Sequence, residues 1–215
     1  MLEKMDAFFE ARLAGYDDHM LTEIEGAREF YPFTADCLPK VPGASVLDLG
    51  CGTGLELQFY FAVNPAARVT GIDLSEGMLA ALKEKFPDKA LTLLRGSYFD
   101  IPLGSGYDAA VSVESLHHFT QEQKTGLYRK LHAALKDGGY FVLTDYFAPD
   151  DAYEAFYFGE LRRLKTEAGI ADDAFYHYDT PLTVAHETQA LLAAGFSRVE
   201  DVKAWGATHT LIAYK

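Results

Sequence analysis

The stretch Ser45-Val46-Leu47-Asp48-Leu49-Gly50-Cys51-Gly52-Thr53-Gly54 reads as one buried strand that breaks into a glycine turn. Val46, Leu47 and Leu49 form a short apolar run interrupted only by Asp48, the pattern of a parallel strand covered on both faces. Three glycines on alternate positions follow. With no Cβ they let a ligand approach the backbone and they tolerate the positive φ angles of a tight turn. Beyond Thr53, which reads as a cap, Leu55, Leu57, Phe59, Tyr60 and Val63 predict a helix that Asn64-Pro65 ends. Strand, glycine turn and helix together make the first half of a nucleotide-type site.

The turn is G-x-G-x-G, neither the G-x-G-x-x-G of dinucleotide binders nor a phosphate-cradling loop with its lysine. No lysine or arginine lies between Val46 and Ala67, so nothing there offers charge to a phosphate. Asp48 stands on the strand instead, suited to a positively charged group. The next strand, Arg68 to Asp73, ends in a second carboxylate about 20–25 residues on, placed to accept both hydrogen bonds of a ribose diol.

VLDLGCGTG followed by GIDLSEGML resembles the class I S-adenosylmethionine-dependent methyltransferase family, over roughly Ser45 to the C-terminus. The resemblance implies an α/β fold: a Rossmann-like, seven-stranded, mostly parallel sheet with helices on both faces, an antiparallel last strand and an N-terminal helical cap. It implies S-adenosyl-L-methionine as cofactor and S-adenosyl-L-homocysteine as product. Asp48, Gly50, Cys51, Gly52 and Gly54 would meet the methionine end and Asp73 the ribose. Leu74, Ser75 and Met78 would meet the adenine face, with Ser97, Tyr98 and Val113 completing the donor site. Many relatives carry an aspartate where this chain has Ser97. N-terminal helices would close over the donor, with Tyr16, His19 and Met20 facing it. The run D-Y-F-A-P-D-D-A from Asp145 and the helix around Thr183 to Gly195 are also similar to carboxy-S-adenosylmethionine synthases. That activity, a tRNA-modification role and a non-catalytic binding protein are the alternatives to methyl transfer onto a small-molecule acceptor.

The net charge of −13 argues against a polyanionic partner, because phosphate binding relies on Lys and Arg releasing counterions. Arg129-Lys130 and Arg162-Arg163-Lys165 are candidates for a local basic patch, the competing reading being solvated helix faces. No apolar run reaches bilayer length and the N-terminus lacks a processing signature. Cys37 and Cys51 make no disulfide framework. The expectation is a cytoplasmic monomer or homodimer acting on a small molecule, without nucleic acid or membrane.

The chain reads as a single domain over 1–215: a helical cap (1–40), a donor-binding core (41–145), an aromatic insertion (146–182) and a closing helix with a strand hairpin (183–215). Within the core a helix is predicted to run from about Gln121 to Lys136 and stop at Asp137-Gly138-Gly139. The fourth strand ends in Glu114-Ser115-Leu116-His117-His118, at the edge where α/β sheets bind ligands. One of Glu114, His117 and His118 could act as a base, or His117 could pack on the methionine moiety. The histidines are adjacent and no carboxylate follows at ligand spacing, so no metal is expected. In the insertion, Tyr146, Tyr157 and Tyr176, with Tyr16, are candidates for an acceptor pocket. The competing reading is that these rings bury an extra helix against the sheet.

Overall fold

In the computed structural model, which describes residues 2–171 and 174–215, the strand over Ser45–Leu49 (β1) lies near the middle of a seven-stranded sheet. It pairs in parallel with β2 (Arg68–Asp73), Val46 opposite Val69, and with β4 (Tyr107–Val113), Val46 opposite Ala109. Beyond these come β3 (Ala90–Arg95), β5 (Leu135–Tyr146), β6 (Arg198–Trp205) and β7 (Thr208–Tyr214), in the order β3-β2-β1-β4-β5-β7-β6. β7 is antiparallel to both its neighbours, joined to β6 by a turn at Gly206, where φ is +61°.

The period-two alternation of a strand sends β1 into two cores. Leu47 and Leu49 join Tyr128, Leu131, Phe141 and Leu191 on one face, built by α6 (Gln121–Ala134) and α8 (Val184–Ala193). Val46 joins Phe30, Tyr31, Tyr60 and Leu82 on the other, built by α3 (Ala27–Asp36), α4 (Leu55–Val63) and α5 (Glu76–Lys85). Leu47, Leu57, Tyr60 and Phe141 are fully buried, each such apolar side chain contributing about 1.5–3 kcal/mol. The N-terminal region is therefore of two kinds. α3 belongs to the core, while α1 (Met5–Arg12) and α2 (Tyr16–Glu23) lie across the carboxyl ends of the strands, burying only Met5 and Met20.

Three local readings are corrected. Thr53 does not cap α4: Gly54, at φ +73°, takes the cap position, and the Thr53 hydroxyl donates to Asp17 instead. α6 stops at Ala134 rather than Lys136, because Leu135 already belongs to β5, opposite Tyr107 of β4, and Lys136 Nζ reaches Asp108 at 2.6 Å. The glycines at 138 and 139 lie inside that extended ribbon. Nor do the insertion's aromatics bury their helix against the sheet. α7 (Asp151–Glu167) buries only Lys165 and leaves Phe156 63% exposed, while Tyr153 and Tyr157 stack on each other at 4.5 Å.

The suspected basic faces are engaged locally. Lys130 donates to the carbonyls of Tyr98, Phe99 and Ile101, and Arg163 pairs with Glu160 and Glu167. No helix among the described residues is long and apolar enough to cross a membrane.

Candidate active site

The glycine turn folds back on β2: the N–H groups of Gly50 and Cys51 both donate to the carbonyl of Ile72, at 2.8 and 3.1 Å. Gly50 has φ +71°, and a Cβ there would collide with the Ser115 side chain, so only glycine fits. Asp73, at the end of β2, accepts the N–H of Gly52 through one oxygen (2.9 Å) and that of Ser75 through the other (2.8 Å). Burial pushes its carboxyl up while these backbone donors pull it down. Each oxygen keeps a lone pair for a further donor. Ser75 caps α5 through the N–H of Met78.

Above the turn is a narrow cleft of about 60 Å³ whose walls include Gly50, Gly52, Asp73, Leu74, Met78, Tyr98 and Val113. No lysine or arginine is among the described residues that line it. Asp48, Cys51, Gly54, Ser75 and Ser97 do not line it. Asp48 lies underneath, buried with Glu56, and burial and the Glu56 charge raise its carboxyl well above the usual range. The Cys51 sulfur packs towards Gly71, Gly54 packs against Leu82 and Phe86, and the Ser97 hydroxyl accepts the N–H of Phe99.

Phe9 and Tyr16 roof the cleft from α1 and α2. Polar latches fix that roof: Glu10 accepts from the Ser75 hydroxyl at 2.6 Å and the Gly77 N–H at 3.3 Å, and Asp17 binds Thr53 and, at 2.5 Å, Lys85. On the other side Met5 N–H donates to Phe175, His177 N–H to Glu3, and the Phe8 ring stacks on His177 at 3.4 Å.

Next to the cleft opens a cavity of about 760 Å³. Phe9, Tyr16, Glu114 and His118 line both spaces, so cleft and cavity adjoin at the end of β4. Glu114 has φ +48°, a conformation that strains a residue with a side chain. It accepts from the Thr208 hydroxyl at 3.1 Å, and burial pushes it up to about 7. His117 donates from Nδ1 to Asp145 at 2.6 Å, and its Nε2 lies 3.5 Å from Asp179. Burial pushes His117 down, but the carboxylates of Asp145 and Asp179 outweigh it and hold the imidazole well above its usual range. His118 Nδ1 faces the Tyr178 carbonyl at 3.2 Å and Asp179 at 3.3 Å, and burial and the neighbouring His117 lower it. Burial also lowers His177, to about 4.

Of the tyrosines singled out in the sequence, Tyr16 and Tyr146 line the cavity. Tyr157 and Tyr176 do not; Tyr157 stacks on Tyr153 and Tyr176 bridges to Lys4. His19 and Met20 also face the larger cavity rather than the cleft. Sequence reasoning missed Asp145, Asp179 and His177. Asp145 carried a usable signal, an acid near the end of β5, the same edge rule that marks Asp73. Asp179 carried none, since only the chain's return after α7 brings it to His117, where Thr180 N–H binds the His117 carbonyl at 2.8 Å.

Residues 46–139 match the family model described as a methyltransferase domain. The chain is 28% identical over 176 residues to a sterol 24-C-methyltransferase of Gibberella zeae, covering 76% of this chain and 42% of that protein. It is 24% identical to a carboxy-S-adenosyl-L-methionine synthase of Campylobacter fetus, covering 100% of this chain and 96% of the relative. The fold matches human N-acetylserotonin methyltransferase, solved in complex with S-adenosylmethionine, at a TM-score of 0.68 and 18% identity, over 98% of this chain and 56% of that one. The chain thus spans about two fifths, or less, of the first curated relatives it matches.

Proposed function

Starting from a chain that carries a methyltransferase domain on the class I, S-adenosylmethionine-dependent fold, we propose that it transfers a methyl group from S-adenosyl-L-methionine to a small-molecule acceptor held in the larger cavity. The observation that carries this reading is the junction at the end of β4. A phosphate-averse cleft with a strand-end carboxylate shares Tyr16, Glu114 and His118 with a cavity large enough for a metabolite.

The residues around the cleft suit this donor. At Gly52 a Cβ would meet only the Tyr16 ring, at 3.9 Å, so the backbone of the turn is open to the cleft there, and Asp73 has lone pairs to spare for a ribose diol. Leu74, Met78, Tyr98 and Val113 offer apolar walls for a base, and no lysine or arginine among its lining residues calls for a phosphate. The bound sulfonium supplies an electrophilic methyl carbon, so this chain's residues bind, orient and exclude water. The roof of Phe9 and Tyr16 does the excluding. Asp145 fixes the His117 ring, and Glu114, which lines both spaces, stands where it can take the acceptor's proton. Asp48 acts from beneath the turn rather than on the donor directly.

The full-length likeness to a carboxy-S-adenosyl-L-methionine synthase favours a second reading, in which the donor carries an additional carboxylate. Against it, no lysine or arginine is among the described residues lining the cleft, and Arg12, which lines the larger cavity, is paired with Glu3. The two unpaired cysteines suit a reducing, cytoplasmic setting, with the chain acting as monomer or homodimer. Incubating the protein with methyl-labelled S-adenosylmethionine and a metabolite extract tests the proposal: a labelled small molecule supports methyl transfer, a labelled carboxylated donor supports the second reading, and no labelled product counts against both.

A further inference from the structure

We propose that His117, His118 and Asp179 bind a divalent transition ion of the zinc and ferrous class in the larger cavity, and that this ion holds the acceptor through an oxygen atom. The role given to the ion rests on the methyl-transfer reading above; its binding does not.

Three ligand atoms converge here, and His118 Nδ1, which also faces the Tyr178 carbonyl at 3.2 Å, gives up that contact with its proton when it takes the ion. His117 Nε2 lies 3.5 Å and His118 Nδ1 3.3 Å from the same carboxylate oxygen of Asp179, and the three ligand atoms fall within 4.8 Å of one another. A tetrahedral ion with bonds of about 2.0–2.1 Å spaces its ligand atoms by about 3.3–3.4 Å. Two imidazoles and one carboxylate select zinc, ferrous or similar ions over magnesium and calcium, which prefer all-oxygen shells. Three protein ligands leave a position open to the cavity that they line, the arrangement of catalytic rather than structural sites.

The surroundings are built to hold these ligands. Asp145, 1% exposed, receives Nδ1–H of His117 at 2.6 Å through one oxygen and the Leu116 N–H at 3.0 Å through the other, which turns Nε2 into the cavity. Metal-bound histidines are oriented by a carboxylate in this way. The loop carrying Asp179 is pinned at Thr180 to the carbonyl of His117. A second grouping, Glu114 with His117 and Asp145, also clusters, but there Asp145 already takes the Nδ1 proton of His117 and serves better as the orienting partner.

An acceptor hydroxyl or phenol oxygen that takes the open position becomes more acidic. Its proton leaves to the Glu114 carboxylate. The oxygen's lone pair then forms the new bond to the methyl carbon, and the carbon–sulfur bond breaks with its electron pair staying on sulfur, so a sulfonium and an alkoxide become a thioether and a methyl ether. The substrate class is a small molecule with a metal-binding hydroxyl.

The test loads chelator-stripped, dialysed protein with Co²⁺ and Zn²⁺, reading the visible absorption of cobalt and the metal retained per chain. The expected result is one ion per chain and tetrahedral cobalt bands. Affinity should fall at least about tenfold in Asp179→Ala and in His118→Ala, and about 10–100-fold in Asp145→Asn. Melting curves of each variant identify any that fail to fold, and the remaining variants decide the matter. Less than about one ion per ten chains at saturating metal, or affinity unchanged in the folded ligand variants, overturns the site. S-adenosylmethionine affinity measured with chelator present is expected to be unchanged, which separates failure of the metal site from failure of the donor reading.

Discussion

Asp145 Oδ1 lies 2.6 Å from Nδ1 of His117, both side chains are buried, and His117 lines the larger cavity. An orienting carboxylate of this kind acts on turnover rather than on donor binding. Asp145→Asn is expected to lower kcat about 10–100-fold and leave the affinity for S-adenosylmethionine unchanged, measured by steady-state kinetics beside calorimetry. An equal loss in both would mean that the residue serves the cleft as a whole.

The roof over the cleft is held by Asp17, which joins Thr53 and Lys85 to α2. The Asp17–Lys85 pair is partly exposed, so its worth is at most about 1 kcal/mol. Asp17→Asn should therefore weaken S-adenosylmethionine binding by up to about fivefold and speed protease cleavage near α1 and α2, with little change in the melting of the sheet. Limited proteolysis with and without the donor checks this.

Asp48 and Glu56 are buried together under the glycine turn, and their side chains include oxygens without a hydrogen-bond partner. Burial raises both carboxyls above their ordinary values. A carboxyl whose folded pKa is raised favours folding while it is protonated, and that contribution is lost as pH rises through the folded value. Glu56→Gln supplies an amide donor in place of an acid, so thermal stability should rise relative to the natural chain, and more at pH 8 than at pH 5. A gain that is equal at both pH values would mean that the pair does not titrate as described.

Lys124, Tyr128 and Glu187 form a buried cluster between α6 and α8, the lysine 1% and the glutamate 0% exposed. Removing one partner strands a charge in the core. Glu187→Ala is expected to cost about 3–5 kcal/mol in urea unfolding, and Lys124→Met with Glu187→Leu to recover much of it.

The cleft was legible because local signals wrote it: a buried apolar run, glycines where a side chain would collide, and an acid at a strand end. The adjoining cavity was not. His117 and His118 were visible as a pair, but their partners come from β5 and from the segment after α7, and no spacing in the sequence connects residue 117 to residue 179. Asp48 misled in the opposite way. Its place beside the glycines suggested contact with the donor, whereas strand alternation turns it under the turn towards Glu56. Ser97 and Cys51 sit at familiar positions too, yet their side chains are taken up by Phe99 and Gly71. The aromatic rings of the insertion read either as walls of an acceptor pocket or as burying an extra helix against the sheet; of Tyr146, Tyr157 and Tyr176 the first reaches the cavity, and α7 buries only Lys165.

The cleft's identity as a donor site is the claim on which the rest stands. Isothermal titration of S-adenosylmethionine into the natural chain and into Asp73→Ala, with circular dichroism to show that both are folded, tests it most directly. The account predicts binding in the micromolar range, weakened at least about 100-fold in the variant, which is the loss of about 2.7 kcal/mol. Absence of binding to the natural chain, or equal affinity in a folded Asp73→Ala, would contradict it.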